Sequence, residues 1–208
     1  MRDLKPRPEI ADMQKVIPET AVLIPDQAEK VFTGQIFDVY QWQQTLFDNT
    51  EATFEMLKRP DTVFSICVVD GRIVIIEDTQ PHTGTRTSFP GGRVDATDNS
   101  TEEAAKREVH EETGYSFDSW RLIQVRQPYK KMEWFIYLYI AWDVISKEEP
   151  HVDPGETIEQ KTVSFLDLKT SILNKDGSLT EASSLFESLS DLDELLALPE
   201  FSGKNVDR

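Results

Sequence analysis

Residues 91–115 read GGRVDATDNSTEEAAKREVHEETGY, and the features of a helix can be recognised within this stretch. Ser100 or Thr101 can cap a helix by accepting a hydrogen bond from a backbone N–H of the first turn. The two glutamates that follow suit that turn, because acidic side chains interact favourably with the positive end of the helix dipole. Gly114 can end the helix in a left-handed conformation. The stretch therefore predicts a helix over Thr101–Thr113.

Three carboxylates lie on one face of this predicted helix. Glu108, Glu111 and Glu112 have the spacing i, i+3 and i+4, which brings side chains together on a helix surface. Like charges at that spacing destabilise a helix unless they are exposed or a cation binds between them. Mg²⁺ prefers oxygen ligands and commonly takes carboxylates together with substrate phosphates. The pattern is compatible with a divalent-metal site, and the alternative is a solvated acidic helix.

The same stretch resembles the Nudix box, G-x5-E-x7-R-E-U-x-E-E-x-G-U, in which U is a bulky apolar residue. The matching residues are Gly92, Arg107, Glu108, Val109, Glu111, Glu112 and Gly114, and Tyr115 fills the last apolar place. Two features depart from the box. Asp98 stands in place of the first glutamate, and eight rather than seven residues separate it from Arg107. An aspartate with this spacing is also similar to the coenzyme A pyrophosphatases of the superfamily, which widens the range of substrates to consider.

The resemblance implies a fold and a set of metal ligands. The expected fold is α/β, a Nudix α/β/α sandwich with a mixed sheet and an N-terminal antiparallel β-annex. By resemblance, Glu108, Glu111 and Glu112 would bind Mg²⁺, with Mn²⁺ as a possible substitute, and the carbonyl of Gly91 would be a further ligand. Arg107 would orient the helix through an ion pair, so it is counted with Glu111 among the catalytic residues.

A second segment is similar to one branch of the superfamily, the ADP-ribose and ADP-sugar pyrophosphatases. Residues 54–59 read FEMLKR, which resembles the aromatic-Glu-x-x-x-Arg segment of that branch. The likeness implies that Phe54, Glu55 and Arg59 help to hold the nucleotide. Arg59 could make a bidentate contact to a phosphate or a base. Trp42 is a second candidate for stacking on the base, and packing within a sheet is the alternative for both aromatic residues.

A third segment supplies a candidate base. Residues 153–159 read DPGETIE and resemble the Asp-x-Gly-Glu loop of the same branch. Glu156 is therefore expected to take a proton from the water that attacks phosphorus. The alternative is an acidic surface turn. Glu133 lies where the branch often carries an acidic residue on the substrate side.

The contacts to the diphosphate are expected to differ from those of the branch. Gln80-Pro81-His82 aligns with a Gln-aromatic-Arg segment, which puts His82 in place of the usual arginine. Arg93, directly after the two glycines, could supply some of the missing positive charge.

The rest of the chain suggests four parts, of which the resemblance covers residues 31–175. They are an N-terminal arm (1–30), a β-annex (31–60), a hydrolase domain (61–175) and a C-terminal helical segment (176–208). The arm, with a short helix near residues 10–16, is expected to be loosely ordered. Residues 31–42 read as one strand, Asp70-Gly71 as a type I′ hairpin turn, and 181–198 as an amphipathic helix. By resemblance, the annex would exchange between the subunits of a homodimer.

Composition limits the partners of the chain. The 208 residues carry a formal net charge of −16, which disfavours nucleic acids and anionic membranes. No apolar run approaches the roughly 20 residues of a membrane helix. The sequence starts without a hydrophobic signal segment, so a cytoplasmic location is expected. Cys67 is the only cysteine, which excludes an intrachain disulfide and a multi-cysteine metal site.

The expected activity is Mg²⁺-dependent hydrolysis of a nucleoside diphosphate linked to a second group. ADP-ribose or an ADP-sugar is the preferred candidate substrate. The products would be AMP and a sugar phosphate. Coenzyme A or a nucleoside triphosphate is the enzymatic alternative. A non-catalytic nucleotide sensor is a second alternative, which the three costly glutamates disfavour. An EF-hand at residues 95–99 fails, because Ser100 stands where its loop needs glycine.

Overall fold

The computed structural model describes residues 10, 13–81, 84–151, 157–174 and 179–208. Twelve strands are found among these residues: β1 Gln14–Ile17, β2 Glu29–Thr33, β3 Asp38–Thr45, β4 Glu51–Lys58, β5 Thr62–Val69, β6 Arg72–Gln80, β7 Gly84–Ser88, β8 Tyr115–Arg126, β9 Met132–Glu133, β10 Ile136–Lys147, β11 Thr157–Val163 and β12 Lys204–Asp207. The α-helices are α1 Thr101–Thr113, α2 Phe165–Leu173, α3 Ser183–Ser188 and α4 Leu192–Leu196, and a 3₁₀ helix spans Leu179–Ala182.

The central sheet is mixed, with the strand order β11-β6-β5-β10-β8 and with β7 paired to β6. Strands β5 and β10 run parallel, whereas the other pairs are antiparallel. The turn between β5 and β6 lies at Asp70-Gly71, where φ is 49° and 72°. Two successive positive φ angles are those of a type I′ turn, so the predicted hairpin is confirmed.

Helices cover both faces of the central sheet. In β5, Val63 and Cys67 belong to clusters that also contain buried residues of α1, and Phe64 and Ile66 belong to the cluster with α2 and α3. This alternation follows from the two-residue period of a strand, which sends successive side chains to opposite faces. The predicted α/β class and the α/β/α sandwich are confirmed.

Helix α1 has the predicted bounds. The Ser100 hydroxyl caps it by accepting a hydrogen bond from the N–H of Glu103, and Gly114 ends it in the left-handed conformation at φ 72°. Ala104, Ala105 and Val109 are fully buried against the sheet. The carboxylates lie on another face of α1, on which the Glu111 side chain is 43% exposed whereas Glu112 is buried.

The annex is a separate small sheet with the order β2-β3-β4-β9, antiparallel except between β4 and β9. The prediction of one strand over residues 31–42 is wrong. β2 ends at Thr33 and β3 begins at Asp38, with a tight turn between them in which the Gly34 N–H donates to the Phe37 carbonyl at 2.8 Å. Glycine allows this turn, because a Cβ there would lie 2.8 Å from the same oxygen.

The predictions for the two ends of the chain need correction. In place of a helix near residues 10–16, β1 pairs with β12 at the other end of the chain, and Ile17 is fully buried. The described part of the arm is thus packed rather than loosely ordered. The predicted helix over 181–198 is interrupted, because Leu189 is extended and the Asp191 side chain caps a new helix by accepting from the Glu194 N–H. Within the described ranges, no helix has the length and apolar character needed to cross a membrane.

Candidate active site

A cleft of about 330 Å³ opens where β6, β7 and the loop after β7 meet α1. Its walls combine acidic and basic side chains with the backbone of the two glycines. The lining residues are Asp78, Gln80, Arg86, Gly91, Gly92, Arg93, Asp95, Thr97, Arg107, Glu108, Glu111, Glu112 and His151. The structure thus brings together the predicted metal ligands, Arg107 and Arg93.

The glycine loop lies directly against β5. The N–H groups of Val63 and Ser65 donate to the carbonyls of Gly92 and Pro90 at 2.9 and 2.8 Å. Gly91, between them, has φ 152°, and a Cβ at this position would lie 2.1 Å from the Val63 oxygen. Only glycine fits there. Among the described residues, no hydrogen bond reaches the Gly91 carbonyl, so it stays a candidate oxygen ligand.

A hydrogen bond joins this loop to α1. The Gly91 N–H donates to Oε2 of Glu112 at 2.7 Å. The Glu112 residue is only 9% exposed, so the contact lies on the inner wall of the cleft. Two residues that were predicted separately, one as a backbone ligand and one as a carboxylate ligand, are therefore in direct contact.

Arg107 links the loop before α1 to the carboxylates on the helix. Its Nε and Nη2 donate to the two oxygens of Asp98 at 3.0 Å each. Its Nη1 donates to Glu108 at 2.9 Å and to Glu111 at 3.1 Å, and Nη2 also donates to the Arg93 carbonyl at 2.9 Å. Every nitrogen of the guanidinium is thus engaged with the protein itself, as an orienting residue requires.

Neighbouring cations neutralise the negative charge of the carboxylate cluster only in part. Burial raises the pKa of Glu108 to about 7 against the opposing effect of Arg107, and the charges of Glu111 and Asp95 raise it further. A buried carboxylate beside two others favours the binding of a cation. Oxygen donors of this kind suit Mg²⁺ or Mn²⁺.

The carboxylates do not converge on one point in this conformation. In the part of the chain that the structure describes, no three acidic, histidine or cysteine side chains lie close enough to share a metal ion. The contacts give the reason, since Glu108 and Glu111 turn towards Arg107 while Glu112 turns to the Gly91 N–H. The donor set fits a divalent cation, provided that Glu108 and Glu111 turn from the guanidinium to the metal.

Arg59 lies beside this cleft rather than in its wall. Its guanidinium carbon is 5.6 Å from the ring centroid of Phe37 and 4.6 Å from that of Trp134. Burial and the positive charge of Arg93 lower its pKa. In the described part of the chain, Arg59 makes no salt bridge with a carboxylate. A half-buried guanidinium of this kind is a candidate for binding an anionic ligand.

The remaining predicted substrate residues lie away from the cleft. Trp42 and Phe54 face each other across β3 and β4, with ring centroids 6.1 Å apart, and Glu55 accepts a hydrogen bond from the side chain of Gln41. None of the three lines the cleft. Within one chain, the predicted base-binding residues and the predicted metal ligands are therefore separate.

Glu133 is held by contacts to the annex and to the N-terminal arm. Its side chain is almost fully buried, forms an ion pair with Lys58 Nζ at 3.0 Å, and accepts a hydrogen bond from the Ile24 N–H at 2.8 Å. These contacts tie the N-terminal arm to the annex, and the role of Glu133 towards substrate stays a prediction. The candidate base Glu156 and the predicted diphosphate contact His82 lie outside the described residues.

Asp78 and Arg86 are among the cleft residues that were not predicted from the sequence. They lie opposite each other in the antiparallel pair of β6 and β7. The sequence signal was the acidic pair Glu77-Asp78 after the apolar run Ile73–Ile76, followed by an arginine before the glycine loop.

Comparison with known proteins agrees with this geometry. The sequence model of the NUDIX domain matches residues 58–183. The ADP-ribose pyrophosphatase of Bacillus subtilis (strain 168) is 25% identical over 145 residues, which cover 67% of this chain and 77% of that protein. A crystal structure of an ADP compounds hydrolase superposes with a TM-score of 0.63 at 17% identity, over 86% of this chain and 93% of the other. The similarity to this branch, predicted from the sequence, is confirmed.

Proposed function

The chain belongs to the Nudix family, and on that basis we propose that it hydrolyses the diphosphate of ADP-ribose or an ADP-sugar to AMP and a sugar phosphate. Its enzyme class is that of a pyrophosphohydrolase acting on phosphoric anhydrides. The observation that carries the proposal is the cleft in which Glu112 meets Gly91 while Arg107 holds Glu108 and Glu111. The relatives whose names refer to ADP-ribose and ADP compounds support the choice of substrate.

We assign the metal to the carboxylate face of α1. Glu108, Glu111 and Glu112, with the carbonyl of Gly91, would hold Mg²⁺, and Mn²⁺ is the alternative ion. When bound, such an ion stabilises charge on phosphoryl oxygens and makes a bound water more acidic. Through its hydrogen bonds to Asp98, Arg107 fixes the position of α1 relative to the loop that precedes it.

The proposed reaction breaks one P–O bond of the diphosphate. The oxygen of a water molecule attacks one phosphorus atom, and the electron pair of the broken bond goes to the leaving phosphate. Glu156 is our candidate for the base that takes the proton of the water. Glu111 is the second candidate, because it lies in the cleft with its side chain 43% exposed.

The nucleotide would occupy the side of the cleft nearest Arg93 and Arg59. Among the described residues, the Arg93 guanidinium is bound only through Nε, to Asp95 at 2.7 Å, and its side chain is 46% exposed, so its other donors can reach a phosphate. Arg59 would contact a phosphate or the base of the nucleotide. Phe54, Glu55 and Trp42 would complete the base site from the annex.

Because the annex residues do not line the cleft of their own chain, we propose a homodimer in which the partner's annex supplies them. The annex exposes several large apolar side chains, which a monomer rarely leaves in contact with water. They include Val31, Phe32, Ile36 and Phe54. Light scattering coupled to gel filtration should give twice the mass of the chain, and Phe32→Ser should shift the mass towards that of one chain. A monomeric wild type would contradict the dimer.

We also propose the division of the chain into an arm (1–30), an annex (31–60), a hydrolase domain (61–175) and a C-terminal segment (176–208). A cytoplasmic location is proposed as well. It is supported by the one cysteine, Cys67, which is a buried free thiol.

A hydrolysis panel with Mg²⁺ tests the substrate. Its members are ADP-ribose, other nucleotide sugars, coenzyme A, dinucleoside polyphosphates and nucleoside triphosphates. Selective release of AMP from ADP-ribose or an ADP-sugar is the expected result. Cleavage of coenzyme A or triphosphates alone would support a pyrophosphohydrolase activity but contradict the proposed substrate. Binding of nucleotides without cleavage of any member would favour a nucleotide sensor.

A further inference from the structure

Arg86 is a cation in the cleft that projects from the strand leading into the glycine loop. It lies in β7, opposite Asp78 of β6, and its Nε donates to Oδ2 of Asp78 at 3.2 Å. Its side chain is 48% exposed. Among the described residues, no hydrogen bond uses its two Nη groups. The end of the guanidinium is therefore available to a ligand in the cleft.

Asp78 is built to hold this arginine in place. It is only 4% exposed, and its Oδ2 also accepts a hydrogen bond from Nε2 of Gln80 at 3.1 Å. Its Oδ1 is buried and has no hydrogen-bond partner in the described structure. Burying a carboxylate is costly unless a cation and hydrogen bonds offset it. An aspartate at this position, with Arg86 as its cationic partner, therefore fixes the direction of the Arg86 side chain.

The other cations of the cleft are less suited to a phosphate. Arg107 already uses all three nitrogens on Asp98, Glu108, Glu111 and the Arg93 carbonyl. Arg93 is paired with Asp95, whose side chain is 36% exposed, so its partner is not held by burial. Among the cations of the cleft that the structure describes, only Arg86 combines Nη groups without a hydrogen bond and a buried partner on a central strand.

We propose that Arg86 binds the second phosphate of the substrate diphosphate, and that Asp78 is the positioning residue that aims it. This inference rests on the proposed function, because it assigns a contact for the same substrate. A guanidinium offers two parallel N–H donors to two phosphoryl oxygens, a geometry that lysine cannot reproduce. Arg86 would thus take the place of the arginine that the chain lacks at His82.

Equilibrium binding separates this contact from turnover. The probes are ADP, which has a second phosphate, and AMP, which does not, and affinity is measured by calorimetry with the full chain in the presence of Mg²⁺. Arg86→Gln should weaken ADP binding by at least about tenfold and AMP binding by much less. Arg86→Lys should recover part of the loss, because it restores charge without the paired donors.

Two further variants control for structure. Arg72→Gln removes an exposed arginine from the other end of β6, where its Nη2 donates to the Thr162 carbonyl, and should leave both affinities unchanged. Asp78→Asn should weaken ADP binding, and adding Arg86→Gln to it should cause less further loss than in the wild type. Thermal unfolding of each variant shows whether the fold is kept.

The outcomes distinguish this proposal from the proposed function. Equal ADP affinity of the wild type and Arg86→Gln would overturn the role of Arg86, even if the wild type hydrolyses ADP-ribose. Equal loss of ADP and AMP binding would also overturn it. A wild type that cleaves no anhydride but binds ADP through Arg86 would contradict the proposed function and support the phosphate contact.

Discussion

Arg107 and Asp98 form two parallel hydrogen bonds of 3.0 Å, from Nε and Nη2 of the guanidinium to the two carboxylate oxygens. This pair explains how the chain accommodates its departures from the Nudix box. Asp98 lies in the loop before α1, and its short side chain still reaches the arginine across the longer spacing. The side chain of Asp98 is 6% exposed, so the pair is sheltered from water. The guanidinium keeps its remaining donors for Glu108, Glu111 and the Arg93 carbonyl.

Asp98→Asn is expected to weaken this pair and loosen α1. Because two charge-assisted hydrogen bonds are affected, the free energy of unfolding should fall by about 1–3 kcal/mol, measured by urea titration. Turnover should fall by about tenfold, since a residue that orients metal ligands is lost. Asp95→Asn is the control, because its carboxylate lies 3.9 Å from the same guanidinium and is 36% exposed. A larger loss of stability in the control would contradict the assignment.

Glu112→Gln should abolish most of the activity and keep the fold. The amide oxygen can still accept the hydrogen bond of the Gly91 N–H, whereas the charge needed to bind a metal is lost. Turnover should fall by about 100-fold or more, with an unchanged circular dichroism spectrum. Glu102→Gln, the same change on an exposed face of α1, should leave turnover unchanged. Near-normal turnover of Glu112→Gln would remove this residue from the metal site.

Gly91→Ala should be far more damaging than Gly71→Ala. Both glycines have positive φ angles, 152° and 72°, but only at Gly91 would a Cβ meet the backbone, 2.1 Å from the Val63 oxygen. Gly71→Ala should cost about 1 kcal/mol of the free energy of unfolding from backbone strain. Gly91→Ala should cost about 3 kcal/mol or more, because overpacking adds to that strain. Equal stability of the two variants in urea titration would contradict the close approach of the loop to β5.

Arg59→Ala tests the contact to the nucleotide outside the metal cleft. Because Arg59 is expected to bind the substrate equally in the ground state and the transition state, the variant should raise KM far more than it lowers kcat. Steady-state kinetics with ADP-ribose measures both constants, and Arg72→Ala is the control. A fall of kcat as large as the fall of kcat/KM would instead place Arg59 at the reacting phosphate.

The parts of the structure that were predicted correctly are specified by local sequence. Helix α1 has its cap at Ser100 and its end at Gly114, and the hairpin turn at Asp70-Gly71 requires two positive φ angles. Each signal lies within a few residues of the element that it controls. The carboxylate face of α1 followed from helix geometry in the same way.

The parts that were missed depend on distant contacts. Strand β1 forms because β12 pairs with it from the other end of the chain, and Lys15 of β1 forms a buried ion pair of 2.6 Å with Asp61. Neither β12 nor Asp61 can be inferred as a partner from the sequence around residue 15. Asp78 and Arg86 meet only through the register of β6 and β7, which the hydrophobic pattern alone did not fix. The prediction of one helix over 181–198 was wrong because the amphipathic pattern does not show that the Asp191 side chain caps a new helix.

Phosphorus NMR of ADP-ribose during incubation with the wild-type protein is the most direct test of the central claim. With Mg²⁺, the two diphosphate signals should give way to two monoester signals, those of AMP and ribose 5-phosphate. The conversion should stop on addition of a chelator and should be absent with Glu112→Gln. Diphosphate signals that persist with both Mg²⁺ and Mn²⁺ in the wild type would contradict the proposed activity, and conversion that continues in excess chelator would contradict a metal site on α1.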